Sequence, residues 1–487
     1  MEQSEEQHRI VRWLAEVPMV AMAVGIFVLL FRTVQPRISY PYDLEWMEGG
    51  MLVHAARVMR GDALYVLPSE EFIPFIYTPL YPWLLGALGG LGLPLDYALG
   101  RWVSILSVLA AGLLLAIAVR KETGNTWLGL GGAGLFLATY PTSGAFFDLV
   151  RNDALLLSTL VGALVAIRMD WIRTGGLLLT AAFLTKHTAA MYGLPALWWL
   201  WHHSGRQASK QFVLWSVVPA LSMVIGLQIH SDGLFLTYLL GVPSVHPFVG
   251  ERFLVTAPKE LATSLSWMVG IMFVVVFLVR WPASRGSRFW VAQGVTAIVL
   301  SAVMRGHHGG YLNVLMPGLW ALSLWACLAI AYLRHRWPGL LMQTATASLV
   351  GLQLWGMQWN PNRYIPTDKD KAAGDSVVAQ LAEIEGEVLA PWQPWMPVQA
   401  GKKGSIALIA LWDIDHEGGP LHEEAEVVAK AIKNKHWAAI LTARSELKRG
   451  LRKHYERTPF TRPSGKALYP KTGWRVRPHT LWVPKNK

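Results

Sequence analysis

Apolar runs of about 17 to 22 residues recur some eleven times in the first 356 residues, and this recurrence limits what the chain can fold into. A run of that length crosses the hydrocarbon core of a bilayer as a helix, because lipid offers the backbone no hydrogen-bond partner but itself. The runs fall near 14–33, 98–119, 126–142, 154–171, 175–188, 191–203, 212–229, 262–280, 289–305, 311–333 and 338–356. With 53% of 487 residues hydrophobic and only 16% charged, a water-soluble globule is excluded. The pattern predicts an all-α polytopic membrane protein of about eleven transmembrane helices. The first run, near Val17–Phe31, follows acids as well as Arg9 and Arg12, and no small-residue cleavage site stands behind it. It reads as a retained helix.

Basic residues set the expected orientation. Arg120 and Lys121, Arg168 and Arg173, Arg206 and Lys210, Arg280, Arg285 and Arg288, and Arg334 and Arg336 recur at every second boundary, which the positive-inside rule assigns to the cytoplasm. The N-terminus then lies inside, while the first loop at 34–97 and the polar region at 357–487 face outward together. The first loop is expected to carry interfacial helices near 42–60 and 79–91, the second too short to span comfortably. In the tail, Val388–Ala390, Ile406–Trp412 and Trp437–Leu441 read as strands, with helical patterns near 421–434 and 445–456, predicting a small α/β domain after a membrane domain at 1–356.

The net charge of +12 is spread over loops and tail, which favours lipid headgroups and a phosphate-bearing ligand over nucleic acid. The single cysteine, Cys327, lies in an apolar run, so no internal disulfide forms. Neither GxxxxGK[ST], HExxH nor GxSxG occurs, so no nucleotide-phosphate loop, zincin motif or serine elbow is available.

Four clusters carry the chemistry. Tyr42-Asp43-Leu44-Glu45-Trp46-Met47-Glu48-Gly49-Gly50 places three acids beside a membrane span, where unpaired negative charge is costly. On a helix Glu45 and Glu48 would share one side, with His54 roughly opposite Glu45, and Asp43 would stand at the cap. Arg151-Asn152-Asp153 lies between apolar neighbours, suited to an ion pair or to holding a phosphate or polar acceptor. Lys186 and His187 sit at a turn between two runs; an ammonium at membrane depth costs on the order of 3 kcal/mol and suits a lipid-linked phosphate. Arg305, His307, His308 and Asn313 occupy a glycine-rich outer turn where imidazoles and a guanidinium can meet pyrophosphate or sugar hydroxyls, with a divalent cation left open. Arg101 and His246 are weaker members. Under one topology all of these map to the outer face.

In their order along the chain, Glu48-Gly49, Arg57, Gly61, Tyr77-Thr78-Pro79-Leu80, Gly100-Arg101, Arg151-Asn152-Asp153, Thr185-Lys186 and Gly310-Tyr311-Leu312-Asn313 resemble the GT-C superfamily of integral membrane glycosyltransferases. The likeness is to the bacterial branch of rhizobial galacturonosyltransferases, aminoarabinose transferases and protein mannosyltransferases. The resemblance implies a polyprenyl-phosphate sugar donor, a lipid, glycan or protein acceptor, inverting hexosyl or pentosyl transfer, a first-loop carboxylate as general base, and a bacterial inner-membrane location. The family's Asp-Glu pair is replaced here by the spaced set Asp43, Glu45 and Glu48. Counting back from Arg57 favours Glu48 as base, while Asp43 is nearer the first span. Lys186, Arg101, Arg151 and Arg305 are the candidate donor-phosphate ligands, and Asp153, His187, His246, His307, His308 and Asn313 the candidate substrate contacts. A flippase of lipid-linked sugars and an inactive scaffold are the alternatives. The absence of an internal repeat, and the gathering of ionisable residues at one face, weigh against transport.

Overall fold

The computed structural model describes residues 2–279, 285–443 and 447–485. Arg280 and the start of the helical pattern expected at 445–456 lie outside them, as do the side chains of Arg9, Arg12 and Arg285. Each apolar run coincides with a helix. The first nine helices are α1 (Glu2–Ile38), α2 (Glu48–Met59), α3 (Leu80–Gly90), α4 (Tyr97–Thr123), α5 (Thr126–Leu137), α6 (Asn152–Arg168), α7 (Ile172–Thr185), α8 (Gly193–His203) and α9 (Gly205–His230). Arg285–Gly306, Met316–Arg336 and Leu340–Gly356 complete the bundle.

Five helices among the described residues are long and apolar enough to cross a membrane, and a sixth span arises if the pair bent by 95° between Arg252–Ser264 and Ser266–Phe277 is counted as one. The chain is a multi-pass membrane protein. Runs that looked like separate spans in sequence are shorter in places: α7 has 14 residues and α8 has 11, separated by the turn His187–Tyr192. Lys186 occupies that break in an extended conformation (φ −157°), so the backbone is interrupted where it borders a cavity.

Local chemistry sets the helix ends. Asp96 accepts from the Leu99 amide at the start of α4, and Gly124 closes it with φ +70°, a conformation open to glycine. Asn125 then caps α5 through the Leu128 amide. Small residues let helices approach: a Cβ on Gly134 would lie 2.7 Å from Ala23 of α1, and one on Gly129 would lie 2.7 Å from the Ala116 carbonyl of α4.

The tail holds a four-stranded sheet in the order β1-β2-β4-β3, where β1 is Val388–Leu389, β2 Ala439–Thr442, β3 Tyr455–Arg457 and β4 Thr480–Pro484. β1 and β2 pair in parallel, and β4 runs antiparallel to both its neighbours. The segment Ile406–Trp412, expected as a strand, is instead the start of a helix over Leu408–Ile414. Its short apolar run does not distinguish the two periods, and burying Leu408, Leu411 and Ile414 together decides for the helix. Helices Asp368–Ala382 and Glu426–Lys433 flank the sheet, the former opened by a capping box between Thr367 and Asp370.

The tail packs directly onto the first loop, and the two share one apolar core that includes Leu52, Phe75, Trp392, Trp395, Leu411 and Val428. Added Cβ atoms on Gly49 and Gly50 would meet Trp395 at 3.1 Å and Ala407 at 3.0 Å, so these glycines admit the tail against the first turn of α2.

Candidate active site

The acidic stretch folds back on itself. Glu48 Oε2 accepts from the amides of Leu44 (2.6 Å) and Glu45 (3.3 Å), and Asp43 Oδ1 accepts from the Gly49 amide (2.8 Å). Residues 43–47 therefore turn, and α2 begins only at Glu48, not at the expected residue 42. The single helical face expected for Glu45 and Glu48 does not exist.

Glu48 is saturated. Its Oε1 takes hydrogen bonds from Arg101 Nε (3.0 Å) and the Val150 amide (2.8 Å), while Oε2 also takes one from Arg101 Nη2 (2.8 Å). Arg101 gives its remaining donors to the carbonyls of Arg37 (2.9 Å), Tyr40 (2.5 Å) and Tyr42 (2.7 Å). A guanidinium has five N–H groups, and all are engaged. Both side chains are 0% exposed. Arg101 thus fastens α4 to the exit of α1 and leaves no donor for a phosphate in this arrangement. A second buried pair, Arg37 to Asp148 at 2.5 Å, secures the same corner.

Glu45 is placed differently. Its Oε2 accepts from the Met47 amide (3.2 Å) and Arg151 Nη1 (3.4 Å), Arg151 Nε lies 3.8 Å from Asp153 Oδ2, and Asp153 Oδ1 accepts from Lys186 Nζ (3.2 Å). The result is a continuous series of alternating charges from the first loop, through the start of α6, to the break after α7. Lys186, Asp153 and Asn313 line one cleft, open to solvent, with Thr188, Tyr192 and Ser301. Arg151 Nε, Asn152 Oδ1 and Asp153 Oδ2 are buried without hydrogen-bond partners, whereas such atoms are ordinarily satisfied.

Burial tunes the acids. It pushes the Glu45 carboxyl up to about 7 against the opposing pull of Arg151. Burial, reinforced by Glu48, raises Asp43 to about 8, and Asp43 Oδ2 has no partner. Sequence reading did not single out Asp413, carried by the helix Leu408–Ile414. Burial raises it to about 8, and Arg151 is the charge that opposes the shift. Only the path of the tail brings it there, and a lone acid in an apolar run was the available signal.

The tail is tied across the acidic stretch. Amides of Lys471 (2.9 Å) and Thr472 (3.2 Å) donate to the Leu44 carbonyl, Thr472 Oγ1 donates to Gly144 O (2.6 Å), and Gln399 Nε2 donates to Pro41 O (2.6 Å). Trp46 meets three tail tryptophans, Trp392, Trp412 and Trp474, with ring centroids 5.0, 6.1 and 5.9 Å away. The tail thereby supplies a wall beside Glu45.

The remaining predicted residues lie elsewhere. Arg305 makes a two-pronged pair with Glu260 (2.9 Å to each oxygen) and donates to Gly310 O (2.8 Å), which holds the glycine-rich turn. His246, His307 and His308 gather there with His416 of the tail; the His246 ring is 5.3, 6.1 and 4.8 Å from the other three. His246 Nε2 donates to Asp413 O at 2.8 Å. His187 follows Lys186 at the start of the turn His187–Tyr192. His54 donates through Nδ1 to Gly50 O (2.7 Å) and accepts the Phe75 amide at Nε2 (2.9 Å), a structural role. Among the described residues, no three His, Cys, Asp or Glu side chains converge as a metal site.

No known family profile matches the chain, and no curated protein sequence does. Solved structures do. The crystal structure of ArnT from Cupriavidus metallidurans in the apo state superposes with a TM-score of 0.59 at 13% identity, over 95% of this chain and 97% of that one. The structure of the same protein bound to undecaprenyl phosphate gives 0.57 at 14% identity, with the same coverage. Over nearly its whole length this chain has the fold seen in ArnT.

Proposed function

We propose that this protein is a membrane glycosyltransferase that moves a sugar from a polyprenyl-phosphate donor to an acceptor hydroxyl at the extracytoplasmic face of a bacterial inner membrane. The observation that carries the reading is the charge series Glu45, Arg151, Asp153, Lys186, which joins a carboxylate to a cation at a largely apolar cleft. The ArnT fold supports it, since one ArnT structure is bound to undecaprenyl phosphate. A residue set of this kind suits single displacement.

Glu45 is the base in this scheme. With its carboxyl near 7 it is largely ionised at mildly alkaline pH and can take the acceptor hydroxyl proton. The acceptor oxygen bonds to the anomeric carbon as the bond from that carbon to the phosphate oxygen breaks, and the centre inverts. The released phosphate charge is met by Lys186, which exchanges Asp153 for the phosphate, while Arg151 bridges both ends. Asp43 is the competing base, because it too is buried with a free oxygen; Glu48, held by Arg101, is assigned to the framework. Residues 1–356 form the membrane catalytic unit in this reading, with the N-terminus cytoplasmic and 357–487 outside.

Transfer from a radiolabelled polyprenyl-phosphate sugar tests the assignment with Glu45→Gln, Asp43→Asn and Lys186→Met. Loss of about 100-fold or more in turnover with Glu45→Gln is expected. Full transfer by that variant, with loss in Asp43→Asn, would move the base to Asp43.

A further inference from the structure

The four tryptophans beside Glu45 form more than a seam between loop and tail. Trp392 lies at their centre, 5.0 Å from Trp46, 5.4 Å from Trp412 and 5.8 Å from Trp474, and Trp412 and Trp474 are 5.5 Å apart. Burial grades across the group: Trp392 is 1% exposed and Trp474 49%, so the cluster presents indole surface outward from an anchored base. The indole Nε1 of Trp392 is buried without a hydrogen-bond acceptor, which a purely packing role leaves unexplained.

Acids lie close to the aromatic cluster. Asp413 follows Trp412 directly on the helix Leu408–Ile414 and lies near Arg151, the guanidinium that pairs with Glu45. A Cβ on Gly473, the residue before Trp474, would sit 3.1 Å from Glu45 Oε1 and 3.3 Å from Trp46 Cδ1, so the backbone at Gly473 passes close to both. Its φ of +70° keeps this turn open to glycine. A lipid tail calls for apolar surface throughout. Aromatic faces with carboxylates close by match a pyranose instead, whose C–H face packs on an indole while its hydroxyls donate to acids.

We infer that Trp412 and Trp474, backed by Trp46 and Trp392 and with Asp413 close by, form a binding subsite for a saccharide of the acceptor. The inference rests on the glycosyltransferase reading for the word acceptor. The wall lies on the Glu45 side of Arg151, whereas Lys186 and its cleft lie on the Asp153 side. The sugar that contributes the attacking hydroxyl belongs next to the base, and the leaving phosphate next to the lysine.

Full-length protein in nanodiscs, applied to a printed array of bacterial glycans, provides the test. Binding to a defined glycan set is expected, weakened roughly tenfold by Trp474→Ala and by Trp412→Ala, and largely retained by Trp474→Phe and Trp412→Phe, which keep an aromatic face. Melting temperatures of all four variants separate lost binding from lost folding. Absence of wild-type binding across the array, or equal binding by folded alanine variants, overturns the subsite. Added undecaprenyl phosphate is expected to leave the glycan bound; displacement would put the sugar on the donor side and overturn the acceptor assignment. Array binding needs no turnover, so glycan capture by a protein that transfers no sugar would defeat the glycosyltransferase reading and leave the saccharide subsite standing.

Discussion

Replacing Glu48 with Gln separates framework from catalysis. The carboxylate accepts five hydrogen bonds, three from backbone amides and two from Arg101, with neither side chain exposed. An amide has one oxygen. If its NH₂ replaces Oε1 it faces the Val150 amide and Arg101 Nε; if it replaces Oε2 it faces the Leu44 and Glu45 amides and Arg101 Nη2. Either way donors oppose donors, and the Arg101 charge is left buried without its counter-ion. Breaking a buried pair from one side costs about 3 to 5 kcal/mol. A fall in melting temperature of roughly 3 to 5 °C follows for a chain of 487 residues. Cys327, the only cysteine and fully buried, provides the assay: a thiol-reactive dye added to detergent-solubilised protein reports its exposure on heating. Glu45→Gln is expected to melt within about 2 °C of wild type while losing transfer, because Glu45 meets Arg151 through one 3.4 Å contact and burial already opposes its charge. A Glu48→Gln protein that melts like wild type yet transfers no sugar would refute this division and return Glu48 to the role of base.

Activity should fall as pH drops through about 7, because Glu45 must be ionised to act, and a pH profile of single-turnover transfer checks this. Asp413 is raised from its ordinary value to about 8, so the folded state holds its proton more tightly than the unfolded chain and its contribution to stability declines as pH rises from about 4 toward 8. Asp413→Asn is accordingly expected to gain melting temperature relative to wild type at pH 8 but not at pH 4. Lys186→Met should weaken undecaprenyl phosphate binding by about 10- to 100-fold, against a smaller effect for Arg305→Met, measured by ligand-dependent thermal shift. Gly374→Ala would place a methyl group 2.1 Å from the Tyr42 ring, and the resulting displacement of the helix Asp368–Ala382 should cost about 1 to 3 kcal/mol and speed proteolytic cleavage of the tail.

What could be read from sequence follows from range. The helices were legible because lipid imposes length and apolarity on each one separately, and every apolar run is helical here. Lys186, Arg151, Asp153 and Glu45 stood out as ions in apolar surroundings, and they adjoin one another in space. Arg101 gave the same signal for another reason: its partners are carbonyls of residues 37, 40 and 42, which no local pattern reveals. The helix expected to begin at residue 42 was displaced by side chains of Asp43 and Glu48 that capture nearby amides. Asp413 and the tail tryptophans were invisible as site residues because contacts such as Leu44 with Lys471 join distant parts of the chain.

That last contact bears on the order in which the protein is made. Leu44 is synthesised early and Lys471 more than four hundred residues later, yet the carbonyl of one is held by the amide of the other. Until the late segment arrives, the acidic turn lacks the cover that the Lys471 and Thr472 amides provide. On the proposed assignment of Glu45 as base, insertion of the membrane helices then precedes completion of the wall beside it.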